Sequence, residues 1–504
     1  MSISRHATRR TAGSAAVAAA SFLLLAGAGI VAAPSAFAGV PGGTSAADRS
    51  NDFDGDGYAD LLTGVPQGTV DGKEGAGYVT VQYGAPNGIG TNATVPKGRV
   101  QVVSQSTAGV SGTSETGDGF GRAVATGDLD GDGYDDAVVG TPGEDEGGVE
   151  DAGRVSVLYG SAKGLGAEQT ASVTAAKPTA GARFGLAVAA ARFTGDVDAD
   201  QLVVLDQKSG LNVFTYHAGV LRQVGTPHST GHTLQAAYLT TGDYDRNGFA
   251  DLVVSGYSPD DDHVMGWSAL YAGGAEGLGY QRDLRGGLGT ASGDINGDGY
   301  DDLVVGQRSG VDDTAGDADA PGGLVGVYYG GEEGPSGTQG PGTAPQWWSQ
   351  NSPGVPGTAE NGDAWGNDLS VADVDGDGRA DVAVGAPGED IGSVADAGAV
   401  WLLRGSDTGL TSTRAQSFDQ NSPAVPGTAE AGDAWGAQVR LVGTDGDGRA
   451  ELVAAAPDEN AGDGAVWLLP ASGEGLLAEG SRSYGASALG GSARGAHFGS
   501  TIDE

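Results

Sequence analysis

Five stretches of this chain place oxygen-bearing side chains at positions 1, 3, 5 and 9 of a nine-residue segment with Gly at position 6. They are DFDGDGYAD (Asp52, Asp54, Asp56, Asp60), DLDGDGYDD (Asp128, Asp130, Asp132, Asp136), DYDRNGFAD (Asp243, Asp245, Asn247, Asp251), DINGDGYDD (Asp294, Asn296, Asp298, Asp302) and DVDGDGRAD (Asp373, Asp375, Asp377, Asp381). Glycine at position 6 permits the sharp turn that lets the oxygens converge, and an oxygen-only cage of this size suits a hard cation, Ca²⁺ above all. Position 7, which is Tyr58, Tyr134, Phe249, Tyr300 or Arg379, is expected to add its backbone carbonyl. About five structural Ca²⁺ ions are therefore expected.

The opening of each segment also matches an EF-hand, which requires a bidentate Glu at position 12 and flanking helices. Position 12 here is Thr63, Val139, Val254, Val305 or Val384, inside short apolar runs such as Ala137-Val138-Val139 and Leu303-Val304-Val305. Such runs signal buried strands, so each cage is expected to sit in the turn of a β-hairpin.

The elements around the cages repeat as well. An aromatic-Gly pair (Phe120-Gly121, Phe184-Gly185, Trp365-Gly366, Trp435-Gly436) opens a first strand, and the cage turns it into a second. The second strand ends at Gly64-Val65-Pro66, Gly140-Thr141-Pro142, Gly385-Ala386-Pro387 or Ala455-Ala456-Pro457. A third strand follows (GYVTVQYG, GRVSVLYG, GLVGVYYG, GAVWLLRG), then a Gly-Leu or Gly-Ile turn (Gly88-Ile89, Gly164-Leu165, Gly277-Leu278, Gly409-Leu410, Gly475-Leu476) and a fourth strand. Two further units are worn. At 194–200 the acids Asp196, Asp198 and Asp200 are out of frame, and at 443–451 the first carboxylate is missing and Glu451 stands at position 9. The first is expected not to bind metal, the second to bind weakly or not at all.

Four-stranded units 49 to 79 residues apart fit the blades of an all-β, seven-bladed β-propeller. The first unit has no aromatic-Gly pair before its cage. The chain ends His497-Phe498-Gly499-Ser500-Thr501-Ile502, a first strand with no cage after it. The C-terminal strand is therefore expected to join the first blade and close the ring.

This punctuation resembles the FG-GAP repeat family, whose best-known members are the N-terminal propellers of integrin α subunits. The resemblance spans residues 39–504 and implies Ca²⁺ in the hairpins of one face and ligand contacts on the other. Trp replaces Phe in two blades, two cages are damaged, and no leg domain, membrane helix or cytoplasmic tail accompanies the repeats, which sets integrin-type signalling aside but leaves adhesion or binding.

Residues 1–38 read as an export signal: Arg5, Arg9 and Arg10, an apolar run, and Ala36-Phe37-Ala38 as a cleavage site. The Arg9-Arg10 pair leaves a twin-arginine route open. The 504 residues include no Cys, so bound metal is the available substitute for disulfides. The formal charge of −40 becomes −43 without the three leader arginines, and five divalent ions would return it only to −33. That excess argues against nucleic acid or an anionic membrane as partner. Ninety-four Gly without a three-residue period exclude collagen. A secreted monomer with an extracellular protein or glycan ligand, and no membrane span after cleavage, is expected.

On the face opposite the cages, Glu115, Asp118, Glu360, Asp363, Glu430 and Asp433 precede first strands, while Glu144, Asp145, Glu389, Asp390 and the Pro457-Asp458-Glu459 run follow second strands. These acids form either a ligand-binding rim or solubilising, turn-forming loops. Trp347, Trp348, Trp365, Trp401, Trp435 and Trp467 could stack on sugars, but Trp365 and Trp435 replace repeat phenylalanines, and Trp401 and Trp467 stand where Ser156 and Thr80 occur elsewhere, which favours packing between blades. No nucleophile elbow, phosphate loop, His-Glu-x-x-His or Cys occurs, and His228 and His232 lie among Thr226, Pro227 and Gly231, a loop composition. A binding or adhesion module is the reading these features favour. A hydrolase related to glycan-anchor phospholipases and a lectin are the alternatives.

Overall fold

The apolar runs that follow the cages form the second strand of every unit, buried along its whole length in Leu61–Val65, Asp136–Thr141, Gln201–Asp206, Asp302–Gln307, Asp381–Ala386 and Glu451–Ala456. A strand buried on both faces needs a sheet neighbour on each side and another layer above and below. The computed structural model, which describes residues 51–503 except 167–168, 196–198, 209, 230, 232–233, 259–265, 309–320 and 338–342, supplies both. The export signal expected at 1–38, Asp196 and Asp198 of the third loop, and His232 lie outside the described residues.

Seven antiparallel four-stranded sheets follow one another. Blades two to six each take four consecutive strands, as in blade two with Ala123–Gly127, Asp136–Thr141, Arg154–Leu158 and Thr170–Val173. Blade seven takes Gln438–Val442, Glu451–Ala456, Ala465–Leu469 and Arg482–Tyr484. In blade one, Leu61–Val65, Tyr78–Gln82 and Val100–Val103 are completed by Thr501–Ile502, with Thr63 opposite Ile502 and Gly64 opposite Thr501. The ring is closed by the C-terminal strand, as the missing and spare strands require.

The innermost strands touch in turn around the ring. Ala123–Gly127 meets Ala187–Ala191, then come Gln235–Gly242, Gly289–Gly293, Leu369–Ala372, Gln438–Val442 and Thr501–Ile502, and the last touches Ala123–Gly127 again. They line a central cavity of about 290 Å³. Among the described residues seven hydrophobic clusters fill the seven blade interfaces, each drawing on two adjacent blades. Phe120, Phe184, Trp365, Trp435 and Phe498 are fully buried in them. Trp401 and Trp467 are 2% exposed, and Trp435 meets Trp467 edge to face at 6.1 Å, so these tryptophans pack blades together rather than face solvent.

The punctuation has a steric cause. The Gly121 and Gly366 N–H groups donate to the Gly140 and Gly385 carbonyls of their own blades at 3.1 and 3.0 Å. Meanwhile a Cβ on Gly140 would stand 2.2 Å from the Gly185 carbonyl of the next blade, and one on Gly385 would stand 2.0 Å from that of Gly436. Only glycine lets the two backbones approach so closely.

The Gly-Leu turns are hooks between blades. The Tyr83 hydroxyl at the end of the third strand of blade one accepts the Leu165 N–H of blade two at 2.8 Å, and Tyr329 of blade five accepts the Leu410 N–H of blade six at 2.9 Å. In blade six Arg404 takes the tyrosine's place and donates to the Glu474 carbonyl of blade seven at 2.8 Å.

Candidate metal centre

Each cage joins the first and second strands of its blade, as in blade two, where Gly127 pairs with Asp136 across the base of the hairpin. The position-6 glycines have left-handed backbones, with φ of 89° at Gly57, 92° at Gly133, 86° at Gly248, 88° at Gly299 and 87° at Gly378. That turn aims main-chain N–H groups at the position-1 carboxylate. Asp128 Oδ1 accepts from Gly131 and Asp132 at 2.7 and 3.1 Å, and its Oδ2 from Gly133 at 3.0 Å. Asp52, Asp243, Asp294 and Asp373 are held in the same way.

The position-9 carboxylate ties the hairpin to the third strand. Asp60 accepts from the Phe53 N–H at 2.9 Å and from the Gly84 N–H at 2.8 Å. Asp136 does so from Leu129 and Gly160, Asp251 from Tyr244 and Gly273, Asp302 from Ile295 and Gly330, and Asp381 from Val374 and Gly405. Each oxygen so used keeps a second lone pair for a cation, except Asp381 Oδ2, which also accepts from Arg404.

Three complete loops bring positions 1, 3 and 9 together. In the sets Asp52, Asp54, Asp60; Asp128, Asp130, Asp136; and Asp373, Asp375, Asp381, one oxygen of each residue lies within 4.8 Å of the others. Within them Asp54 Oδ1, Asp130 Oδ1 and Asp375 Oδ1 are buried and have no hydrogen-bond partner. A buried, unpaired carboxylate oxygen is costly, and one at the same place in three hairpins fits a cation as its partner.

Burial also pushes these acids up. Asp128 rises to about 6, Asp251 and Asp302 to about 8, and Asp60 and Asp136 move well above the usual carboxylate range, in each case against backbone N–H groups that pull the other way. A bound divalent ion would reverse that direction and hold the cluster ionised.

The remaining candidates sit as follows. Position 5 is at the loop tip. Asp56, Asp132, Asn247, Asp298 and Asp377 each accept the position-7 N–H, that of Tyr58, Tyr134, Phe249, Tyr300 and Arg379, through Oδ1. Asp245 and Asn296 are bonded to the position-5 side chains of their own loops. In the worn seventh loop Asp445, Asp447 and Glu451 also come within 4.8 Å of one another, with Glu451 bonded to the Thr444 N–H at 2.9 Å. In the third loop the Gln201 amide oxygen takes the Phe193 N–H at 2.8 Å across eight residues, where the complete loops span seven. The third loop is thus one residue longer than the complete ones. Blade six differs again, because the Arg404 guanidinium stands 2.7 Å from Asp381 Oδ2 and 3.5 Å from Asp375 Oδ2. The sequence signal was Arg at a place that is Tyr83, Tyr159 and Tyr329 elsewhere.

On the opposite face, the rim acids divide. Asp118, Asp363 and Asp433 are 3%, 2% and 3% exposed, and each accepts the N–H of the Glu three residues before it, Glu115, Glu360 or Glu430, at 2.6 to 2.8 Å. Asp145 and Asp390 accept from the Asp151 and Asp396 N–H groups within their own loops. Glu115, Glu360, Glu430, Asp145, Asp390 and Asp458 are exposed. Sequence reasoning missed three glutamines that join them. Gln105, Gln350 and Gln420 donate to Glu144, Glu389 and Glu459 at 2.5, 2.7 and 2.8 Å, each pair 39 residues apart. That constant spacing was the available signal.

With the geometry in place, the FG-GAP repeat profile matches residues 50–81, 120–158, 365–403 and 444–469. The chain carries FG-GAP repeats. The matched segments take in cages one, two, six and seven, so the worn seventh loop keeps the FG-GAP pattern despite its lost first carboxylate. No curated protein matches the chain. Among solved structures, BP39L lectin from Burkholderia pseudomallei is similar to this chain at 16% identity, with 83% of this chain and 96% of the lectin covered and a TM-score of 0.43. Among the described residues no helix is long and apolar enough to cross a membrane.

Proposed function

We propose that residues 39–504 form an exported, Ca²⁺-clamped FG-GAP propeller that acts as a binding module of the cell-adhesion type for an extracellular protein or glycan. The leader at 1–38 would direct export. Ca²⁺ would sit in the five complete hairpin cages, held by the side-chain oxygens at positions 1, 3, 5 and 9 and the position-7 carbonyl. The unpaired oxygens of Asp54, Asp130 and Asp375 support this assignment.

The binding half rests on the division within the acidic rim. Buried aspartates fix the turns, which leaves Glu115, Asp145, Glu360, Asp390 and Glu430 presented to solvent at equivalent blade junctions, away from the cages. A rigid scaffold presenting repeated loops is how propellers and other repeat folds build recognition surfaces. Exposed carboxylates of this density suit a cationic or hydroxyl-rich ligand.

The deciding experiment is a glycan array and a panel of extracellular proteins probed with and without Ca²⁺. Retention that is lost in EGTA and weakened by Glu360→Gln with Asp390→Asn supports the reading. Turnover of ester or glycoside substrates would replace it with an enzyme.

A further inference from the structure

Gln350, Asp363 and Glu389 meet where blades five and six adjoin. Gln350 is 1% exposed, and its Nε2 donates to Glu389 Oε2 at 2.7 Å, which leaves Oε1 buried with no hydrogen-bond partner. A methyl group on Gly322 would stand 2.8 Å from both that Oε1 and Asp363 Oδ2, and 3.0 Å from the Glu360 carbonyl oxygen. Three oxygens thus face one small volume beside the glycine, with the Glu389 carboxylate next to it. Asp363 and Glu389 are both pushed up by burial, Glu389 to about 7. Once both carboxyls are ionised, they and the unpaired amide oxygen form an acceptor-only set.

The arrangement occurs three times, and one copy holds its own cation. At the junction of blades one and two, Gln105, Asp118 and Glu144 are joined by Arg154, whose Nη1 lies 3.1 Å from Glu144 Oε1. Arg154 follows Gly153 at the start of a third strand. The residues that follow Gly398 and Gly464 at the same place are Ala399 and Ala465. At the junction of blades six and seven, Gln420 is 1% exposed, donates to Glu459 at 2.8 Å, and again leaves Oε1 buried and unpaired beside Asp433. Among the described residues no ion pair engages Asp363, Glu389, Asp433 or Glu459.

We propose that the junctions of blades five–six and six–seven each bind a divalent cation of the Ca²⁺ type, through Gln350 Oε1, Asp363 and Glu389 in one and Gln420 Oε1, Asp433 and Glu459 in the other. At the third junction the Arg154 guanidinium already supplies positive charge to Glu144, although Gln105 Oε1 is buried and unpaired there too. Hard oxygen donors from two carboxylates and an amide are the ligand chemistry of Ca²⁺. These sites are distinct from the hairpin cages and lie on the opposite face of the ring.

The test counts bound Ca²⁺ on the full chain by metal analysis after equilibrium dialysis. The pair of substitutions Glu389→Gln and Glu459→Gln keeps shape and hydrogen bonding, and it is expected to lose two ions per chain. An unchanged count in a protein that still folds overturns the proposal. Should that variant misfold, Gln350→Glu with Gln420→Glu gives a second reading. A third carboxylate strengthens a cation site, so its melting temperature should match or exceed that of the unaltered chain in saturating Ca²⁺ and fall below it in EGTA. A melting temperature lowered equally under both conditions overturns the proposal.

Discussion

The side chain of Asn51 donates to Asp503 Oδ2 at 2.8 Å, across 452 positions of the sequence. Asp503 Oδ1 also accepts the Leu62 N–H at 3.3 Å, and its own N–H donates to the Leu62 carbonyl at 3.2 Å. With only two residues of strand pairing at this seam, these side-chain bonds and the buried Phe498 ring carry much of the closure. A chain ended after Gly495 should melt far lower or aggregate. Asp503→Ala, which strands two donors, should cost about 1–3 kcal/mol. Thermal melting of both variants checks the closure, and an unchanged melting temperature in the truncated chain refutes it.

Asp130 supplies the unpaired oxygen of the second cage. Ca²⁺ at a hundred times its dissociation constant should stabilise the fold by about 2.7 kcal/mol per site. Asp130→Asn should therefore lower the melting temperature in Ca²⁺. In EGTA the order should invert, because the variant relieves repulsion among Asp128, Asp130 and Asp136. Scanning calorimetry under the two conditions shows whether the sign changes, and a variant less stable in both would rule out a cation there.

Tyr83 and Leu165 test the hooks. Tyr83→Phe leaves the buried Leu165 N–H without its acceptor and should destabilise the protein by about 1–3 kcal/mol. Tyr134→Phe, which removes a hydroxyl from a half-buried ring at a cage tip, should be close to neutral. Urea unfolding of the two variants compares them.

Asp368 lines the central cavity beside Arg440, and Asp503 lies buried near the same guanidinium. Burial raises Asp368 to about 7 and Asp503 to about 6, and Arg440 opposes both shifts. A carboxyl whose pKa is higher in the folded state contributes stability that is complete below its unfolded pKa of about 4 and is lost as pH rises through its folded value. In saturating Ca²⁺ the melting temperature should therefore decline between about pH 4 and 7. Asp368→Asn, which keeps an acceptor for the Val439 N–H, should flatten that decline. A variant with the slope of the unaltered chain would place the titration elsewhere.

The architecture was legible because its signals are local and repeated. Phe120-Gly121 and Gly140 mark close backbone approaches that only glycine permits, and the lone Phe498-Gly499 could only complete a blade that lacked a first strand. The cages were legible because Asp at alternate positions has few other uses. The Gln105–Glu144 pairing was not, since a single glutamine carries no pattern until three copies are seen at one spacing. Arg404 was missed for a related reason: the repeat frame fixes where a residue stands, but not which charge its side chain reaches. The rim was half legible. Asp118 and Glu115 are neighbours in sequence, yet only burial separates the turn-fixing group from the exposed one.

The seam at Thr63 and Ile502 has a further meaning. Because both ends of the described chain are woven into a single blade, the ring has no privileged starting point. Joining residue 503 to residue 51 through a short linker and reopening the chain in a surface loop between two other blades should give a circular permutant with the same seven interfaces. Whatever polypeptide is attached at either end emerges from the first blade, so the other six are left free around the circumference.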